Sequence, residues 1–221
     1  MTFQGTVVVL GANGETGRRT VANLRGKGIA VRAVVRSAEK AAAVPELNAS
    51  GVEVFIGDVL KVTDLRRALA GAAAVISTLG SRPSYSDEIL EAIEYEVIVN
   101  LVATAIEHGL RQIVMCSSMG TETPEVIPPL TRILKAKRRG ELALEQGSVP
   151  YTIVRPGGLT NGPGGNDVLA ARRLTGFGSI SREDVAEVLV QALLQPAAQG
   201  KIVEIINQPG AGKATRPDLF G

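Results

Sequence analysis

The segment GTVVVLGANGETGRRTVANLRGKG, residues 5–28, decides the predicted fold. An apolar run leads directly into glycines at positions 11, 14 and 17, and an amphipathic helical pattern follows. Such a turn lets backbone N–H groups and the positive end of the helix approach a pyrophosphate. Gly11 is predicted to make the tight turn, Gly14 to admit the phosphates, and Gly17 to allow close packing of the helix on the strand. A purely structural turn without a ligand is the alternative.

Apolar runs rich in Val and Ile alternate with amphipathic segments along the rest of the chain. The predicted strands are 5–11, 30–36, 52–58, 73–79, 111–117, 151–156 and 201–206. The predicted helices are 15–27, 63–70, 86–108, 127–146 and 181–194. Most of the runs are apolar on both faces, which is typical of a parallel sheet covered by helices on both sides. Right-handed crossovers then favour an α/β fold with one doubly wound Rossmann-type sheet.

The domain prediction is a single NAD(P)-binding domain over residues 1–221, because no linker or repeat interrupts the pattern. A Gly/Pro-rich stretch, RPGGLTNGPGGND (155–167), follows the sixth strand. Loops at the carboxyl ends of strands usually line ligand sites. We therefore expect a small substrate-side region around residues 155–180.

Composition excludes several classes of function. The chain has 221 residues with a net charge of +2, no Trp, three Tyr and four Phe, which disfavours nucleic acid as a partner. Its apolar runs are too short to span a bilayer, so no membrane partner is expected. One cysteine, Cys116, and one histidine, His108, exclude a disulfide framework and an ordinary zinc site, so no metal is predicted. Cys116 is expected to pack in a strand and His108 to cap a helix, and a cytoplasmic location fits best.

The end of the second strand bears on the choice of cofactor. In NAD-binding folds an acidic residue about 20 positions beyond the glycines usually holds the ribose 2′-hydroxyl. Here Arg36 lies 19 residues after Gly17 and is followed by Ser37. A guanidinium group matches the 2′-phosphate that distinguishes NADP from NAD. The predicted cofactor is therefore NADP(H), and a solvated arginine at a strand end is the alternative.

A set of spaced motifs carries a resemblance to a known family. The motifs are GANGETGRR (11–19), VVRS (34–37), GDV (57–59), MCSS (115–118) and VRPGGLTNGPG (154–164). Over residues 5–206 the chain resembles atypical short-chain dehydrogenase/reductases, most of all the NAD(P)H-binding group that contains flavin reductase/biliverdin-IXβ reductase and NmrA-like proteins. The glycine turn, the strand end and this resemblance together predict cofactor contacts at Gly11, Asn13, Gly14, Glu15, Thr16, Gly17, Arg36, Ser37, Asp58, Val59, Thr78, Leu79, Gly80, Ser117, Lys137, Pro156, Gly157, Gly158 and Leu159. For Asp58, a helix cap is the alternative.

The catalytic residues of the conventional enzymes are only partly present. Those enzymes use a Ser together with a Tyr and a Lys spaced YxxxK. Here Ser117, Ser118 and Lys137 are the candidate catalytic residues, but Ile133 stands four positions before the lysine. An isoleucine side chain can neither donate a proton nor stabilise an oxyanion. The serines are expected to position the carboxamide or the acceptor and Lys137 to contact ribose, with strand capping and a solvated helix face as the alternatives.

These observations favour an NADPH-dependent reductase that passes hydride to a conjugated small molecule such as a flavin, a quinone-like compound or a tetrapyrrole (bilin). The alternative is a non-catalytic NADP(H)-binding sensor or assembly protein with a protein partner. A sugar-nucleotide epimerase is disfavoured because it needs a proton-transferring residue. By the resemblance, residues 155–159 close over the nicotinamide with their backbone groups. The basic run 135–139, with Arg172 and Arg173, is expected to attract an anionic acceptor.

Overall fold

Strands and α-helices alternate along residues 3–221, the part of the chain that the computed structural model describes. The strands are β1 (Thr6–Leu10), β2 (Val31–Val35), β3 (Val52–Ile56), β4 (Ala72–Ser77), β5 (Ile113–Cys116), β6 (Tyr151–Pro156), β7 (Gly158–Thr160), β8 (Val168–Ala171), β9 (Ser179–Ser181) and β10 (Lys201–Asn207). The α-helices are α1 (Glu15–Gly26), α2 (Ala38–Ala42), α3 (Val62–Leu69), α4 (Asp87–Glu91), α5 (Val97–Glu107), α6 (Thr131–Gln146) and α7 (Arg182–Leu194).

Eight of the strands form one sheet in the order β3-β2-β1-β4-β5-β6-β10-β8. The chain winds outward from β1 in both directions, so the predicted doubly wound Rossmann-type sheet is confirmed. One detail differs from a purely parallel sheet: β8 pairs antiparallel with β10 at the edge. The remaining strands, β7 and β9, form a separate parallel pair. Of these two, β7 lies inside the Gly/Pro-rich stretch 155–167 that was expected to be loop.

The two faces of β1 show how the sheet is covered. Val7 and Val9 pack in one buried cluster with residues of α1 and α7, whereas Val8 and Leu10 pack in another with residues of α3 and α5. Alternate residues of a strand point to opposite faces, so a run that is apolar throughout is buried on both sides. This packing fixes the carboxyl ends of the parallel strands along one edge of the molecule.

Two predicted helices differ from the structure. The predicted helix over 86–108 is divided into α4 and α5 by a π-helical turn, Ala92–Glu96. The helix predicted from residue 127 begins at Thr131, because the prolines of residues 124–130 form two short 3₁₀ turns instead. The start of α7 is as predicted, since the Ser181 hydroxyl accepts a hydrogen bond from the amide of Asp184 at 3.0 Å. His108 caps the end of α5 as expected.

Across residues 3–221, no helix combines the length and the apolar character that crossing a bilayer requires. Over the same residues, no group of three or more His, Cys, Asp or Glu side chains is arranged to hold a metal ion.

Candidate functional site

The glycine turn between β1 and α1 has the conformation that its sequence predicts. Gly11 has φ +77°, in the left-handed region that favours glycine. A Cβ atom on Gly17 would lie 2.2 Å from the carbonyl oxygen of Gly11, so no larger residue fits without moving the helix. The turn role of Gly11 and the packing role of Gly17 are therefore confirmed. The phosphate contact of Gly14 stays a prediction.

The end of β4 supports this turn from the neighbouring strand. Thr78 donates a hydrogen bond from its hydroxyl to the carbonyl oxygen of Leu10 at 2.8 Å. Its side chain therefore holds the turn in place, while Leu79 and Gly80 continue into the wall of a cavity. The first N–H groups of a helix lack intrahelical partners, and Gly14 at the N-cap of α1 makes no side-chain cap. The start of α1 is thus open to an anion.

A cavity of about 440 Å³ lies beside the turn, within the range of small-molecule sites. Its walls come from the carboxyl ends of β1 to β4 and from α4. It brings together seven of the predicted cofactor residues: Gly11, Asn13, Arg36, Asp58, Val59, Leu79 and Gly80. The predicted site residues did not include the other seven residues of its lining: Val34, Val35, Gly57, Leu60, Tyr85, Ile89 and Ile93. Of these, Ile89 comes from α4 and Ile93 from the π-helical turn.

Arg36 lies exposed at the rim of this cavity. Over residues 3–221 it has no carboxylate within ion-pair distance, whereas nearby Arg18 pairs with Glu15 at 2.8 Å. Ser37 is the N-cap of α2, where its hydroxyl oxygen accepts a hydrogen bond from the amide of Lys40 at 3.3 Å. Arg36 is therefore the guanidinium at this rim that can bind an added phosphate.

Asp58 is held in a turn after β3. Its carboxylate accepts from the amide of Leu60 at 3.1 Å, and its own amide donates to Asp64 at 3.0 Å. The alternative role as a helix cap is wrong, because α3 begins at Val62 with Lys61 at its N-cap. Asp58 thus lines the cavity from a fixed backbone.

Glu15 and Thr16 occupy the first turn of α1. Glu15 is exposed and binds Arg19 and Arg18, whose hydrogen bonds and charges lower its pKa. The carbonyl oxygen of Thr16 accepts from the hydroxyl of Thr20 at 3.0 Å. Neither residue lines the cavity, and their cofactor contacts stay predictions.

Lys137 is buried, not on a solvated helix face as the alternative held. Its ammonium group binds Glu94 at 2.7 Å, and the two residues are 7% and 1% exposed. Burial alone would lower the pKa of Lys137, but the charge and hydrogen bond of Glu94 outweigh it and the pKa is raised. The second carboxylate oxygen of Glu94 accepts from the amide of Ser81 at 2.7 Å. Lys137 does not line the 440 Å³ cavity, and its ribose contact stays a prediction.

Ser117 is bound by a buried carboxylate that sequence reasoning missed. Its hydroxyl lies 2.6 Å from Glu141, which also binds Arg155 through two hydrogen bonds of 2.9 and 2.7 Å and Arg138 at 3.0 Å. A carboxylate accepts hydrogen bonds and does not donate them, so the Ser117 hydroxyl donates this hydrogen bond to Glu141. The Ser117 oxygen can therefore accept a hydrogen bond from a ligand but cannot donate one. Ser118 is half-buried and donates to the carbonyl oxygen of Met119 at 3.0 Å.

The segment 155–159 differs from the expectation that its backbone meets the nicotinamide. Arg155 is buried on Glu141, and the carbonyl oxygen of Pro156 accepts from Met119 at 2.9 Å. The amides of Gly157 and Gly158 donate to the carbonyl oxygens of Ile205 and Gly178 at 2.9 and 2.8 Å. These N–H groups are used within the two sheets and are not available to a nicotinamide. Leu159, in contrast, is exposed.

The basic run 135–139 does not form a free cationic surface, so the structure adds no support to the expectation that it attracts an anion, which stays a prediction. Each of its cations binds at least one carboxylate. The pairs are Lys135 with Glu125, Lys137 with Glu94, Arg138 with Glu141 and Glu145, and Arg139 with Glu91. Several of them line a groove of about 750 Å³ between α4 and α6. That groove is the larger cavity, but its charges are already paired.

Within residues 3–221, no tyrosine takes the place of the one that Ile133 replaces. Ile133 is buried, and Tyr95 lies under the guanidinium of Arg139 at 5.0 Å. Tyr85 lines the 440 Å³ cavity, which makes it a wall of the dinucleotide site. Cys116 is half-buried against the core, and burial raises its pKa to about 11. As expected, it is a packed thiol and not a nucleophile.

The sheet topology, the glycine turn and the adjoining cavity together define a Rossmann-fold dinucleotide-binding protein. A sequence model described as NAD(P)H-binding matches residues 11–196, and the chain belongs to this NAD(P)H-binding family. The resemblance to atypical short-chain dehydrogenase/reductases and the prediction of a nicotinamide dinucleotide cofactor are thereby confirmed.

Three known proteins illustrate the relationship. An uncharacterized chloroplastic protein of Arabidopsis thaliana is 36% identical over 227 residues, covering 97% of this chain and 81% of the relative. Sanguinarine reductase of Eschscholzia californica is 30% identical over 256 residues, covering 96% and 92%. A solved structure, a putative NAD-dependent epimerase/dehydratase from Bacillus halodurans, has a TM-score of 0.89 and 29% identity over 98% of this chain and 99% of that one.

The charge cluster beside Ser117 predicts a dependence of stability on pH. The hydrogen bond from Arg155, with help from Arg172, lowers the pKa of Glu122 to about 2 from an ordinary value of 4.5. A lowered pKa stabilises the fold above the ordinary value, and this contribution is lost as the pH falls from about 4.5 through 2. Discounted for solvent screening, it amounts to about 1 kcal/mol.

We expect Glu122→Gln to show a smaller loss of stability between pH 5 and pH 2.5 than the unmodified chain, in urea unfolding followed by circular dichroism. Glu107→Gln, at an exposed position on α5, is the matched control and should keep the original pH dependence. Identical curves for Glu122→Gln and the unmodified chain would show that Glu122 makes no such contribution.

Proposed function

We propose that this protein is an NADPH-dependent reductase that passes hydride to a conjugated acceptor. The observation that carries the proposal is that, within residues 3–221, no side chain on the expected catalytic side is free to supply a proton. Ile133 is apolar and buried, the Ser117 hydroxyl donates its hydrogen bond to Glu141, and Lys137 is paired with Glu94.

The class of acceptor follows from this lack of a proton donor. Bound NADPH supplies a hydride, and reduction of a simple ketone would then leave an alkoxide that needs an acid. A flavin, a quinone or a tetrapyrrole spreads the added electrons over its conjugated system and takes its proton from solvent. A conjugated acceptor therefore needs from the protein only binding, orientation and exclusion of side reactions.

The preference for NADPH over NADH rests on Arg36. Its guanidinium lies at the rim of the cavity without an ion-pair partner within residues 3–221, so a 2′-phosphate would meet an available cation. The pyrophosphate would lie against the glycine turn and the open N-terminus of α1. Val59 and Leu60 offer an apolar wall for the adenine.

One relative supports the proposed class of reaction, and another bears on location. Sanguinarine reductase supports a reductase, since it matches nearly the whole chain. A relative of Arabidopsis thaliana is chloroplastic, and the cytoplasmic location expected from composition stays a prediction. An epimerase, as in the description of the Bacillus halodurans structure, is disfavoured because Ile133 replaces the proton-transferring tyrosine.

Steady-state oxidation of NADPH, followed at 340 nm, tests the proposal with a panel of FMN, dichlorophenolindophenol, quinones and biliverdin. We expect turnover with at least one of them and slower turnover with NADH. Gly17→Val, whose side chain would collide with the Gly11 carbonyl, is the control that should lose turnover. Tight binding of NADPH without reduction of any acceptor would overturn the proposal and favour a non-catalytic sensor.

A further inference from the structure

We propose that a second cavity, formed by Met119, Val126, Leu174 and Phe177, binds the conjugated ring of the acceptor, and that Phe177 stacks on one face of this ring. We call it the Phe177 cavity. The inference rests on the proposed function for the class of ligand. It adds the place of binding and the residue that recognises the ring.

The Phe177 cavity lies where a substrate of this fold is expected. Met119 and Gly120 follow β5, directly after Ser117 and Ser118, and form one wall. The connection between β8 and β9 forms the opposite wall. In open α/β sheets, ligands bind in the crevice outside the carboxyl ends of the strands. The amide of Met119 donates to the carbonyl oxygen of Pro156, which ties this wall to the end of β6.

The lining combines the apolar side chains of Met119, Val126, Leu174 and Phe177 with the polar side chains of Thr123, Arg173 and Glu204, and its aromatic ring is exposed. Phe177 is 56% exposed and Val126 is 58% exposed, although the chain has only four Phe and no Trp. Aromatic rings prefer offset-stacked or edge-to-face partners, and such pairs add about 0.5–1.5 kcal/mol beyond burial of area. A flat conjugated ring can stack on Phe177 in this way, whereas a saturated or bulky ligand cannot.

The loop that carries Phe177 is anchored on both sides of it. The amide of Leu174 donates to the buried carboxylate of Glu204 at 2.7 Å. Gly178 lies so close to Ile206 that an added Cβ would meet its side chain at 3.0 Å, and its carbonyl oxygen accepts from Gly158. Phe177 is therefore presented from fixed backbone, which lowers the entropy lost when a ring binds.

The size of the Phe177 cavity limits how much of the acceptor it can enclose. Its volume is about 250 Å³, below the roughly 300–1,000 Å³ of sites that enclose a drug-sized ligand. One part of the acceptor is thus covered while the rest stays in water. Contact with solvent is what a conjugated acceptor needs when no side chain provides its proton.

Binding of riboflavin to the protein saturated with NADP⁺ tests the inference, because quenching of flavin fluorescence reports binding without turnover. We expect Phe177→Ala to raise the Kd for riboflavin roughly 5- to 30-fold, the effect of losing one stacked ring. Phe177→Tyr should restore the original Kd. Ile106→Ala on α5 is the matched control, because it truncates a similarly exposed side chain that is distant in sequence from Phe177. It should leave the Kd for riboflavin unchanged.

Two results would overturn the inference: no riboflavin quenching by the unmodified protein, or the same Kd for Phe177→Ala as for the unmodified protein. The Kd for NADPH should stay unchanged in Phe177→Ala, because Phe177 does not line the 440 Å³ cavity. Failure of the proposed function gives a different pattern, in which riboflavin binds and depends on Phe177 but no acceptor of the panel oxidises NADPH.

Discussion

Replacement of Arg36 with aspartate is expected to raise the Kd for NADPH about 5- to 150-fold, which corresponds to 1–3 kcal/mol. The substitution removes the guanidinium at the rim of the dinucleotide cavity and adds a charge that repels the 2′-phosphate. NADH lacks this phosphate, so its affinity should stay the same or increase. The ratio of the two affinities therefore isolates the contribution of the phosphate.

Calorimetric titrations of NADPH and NADH into both proteins measure this ratio. Arg18→Gln is the matched control, because Arg18 stands near the same turn but is paired with Glu15. We expect it to change the affinity for NADPH several-fold less than Arg36→Asp does. Equal affinity for NADPH in Arg36→Asp and the unmodified protein would remove Arg36 from the site.

Truncation of Glu141 is expected to cost about 3–5 kcal/mol of unfolding free energy, the range for breaking a buried ion pair from one side. Glu141→Ala leaves Arg155 buried without the two hydrogen bonds that it donates to this carboxylate. It also leaves the hydroxyl of Ser117 without its acceptor. The loss is large because the remaining charge keeps its desolvation penalty while its main partner is gone.

Urea unfolding at neutral pH measures this cost. Glu145→Ala is the matched control, since Glu145 binds Arg138 on the same helix at 2.6 Å but is partly exposed. An exposed pair contributes up to about 1 kcal/mol, so this variant should stay close to the unmodified protein. Equal midpoints for Glu141→Ala and Glu145→Ala would contradict the account of the cluster.

The sequence predicts the fold well because its signals are local. The glycine turn and the alternation of apolar runs with amphipathic segments specify the order of strands once crossovers are right-handed. Strands β7, β8 and β9 were missed because each has only three or four residues, and β7 also lies within the Gly/Pro-rich stretch 155–167. Their pairing depends on β10 and on each other, which no local pattern reports.

Site residues whose role depends on backbone conformation or on sequence spacing could be predicted. Buried charged residues of the site were missed. Gly11, Gly17 and Arg36 follow from spacing alone. Glu94 and Glu141 lie on helix faces that point inward, where charged residues are uncommon. A signal for one of them was present: Lys137 and Glu141 share the helical spacing of the apolar residues of α6 and so belong to its buried face.

The measurement that tests the central claim most directly compares two kinds of acceptor under the same conditions. The rate of NADPH oxidation is recorded with a quinone and with a simple ketone that must be protonated after hydride transfer. We predict turnover of the quinone and none of the ketone, because none of the side chains near Ser117 that the structure describes is free to supply the proton. Reduction of the ketone without reduction of the quinone would contradict this account.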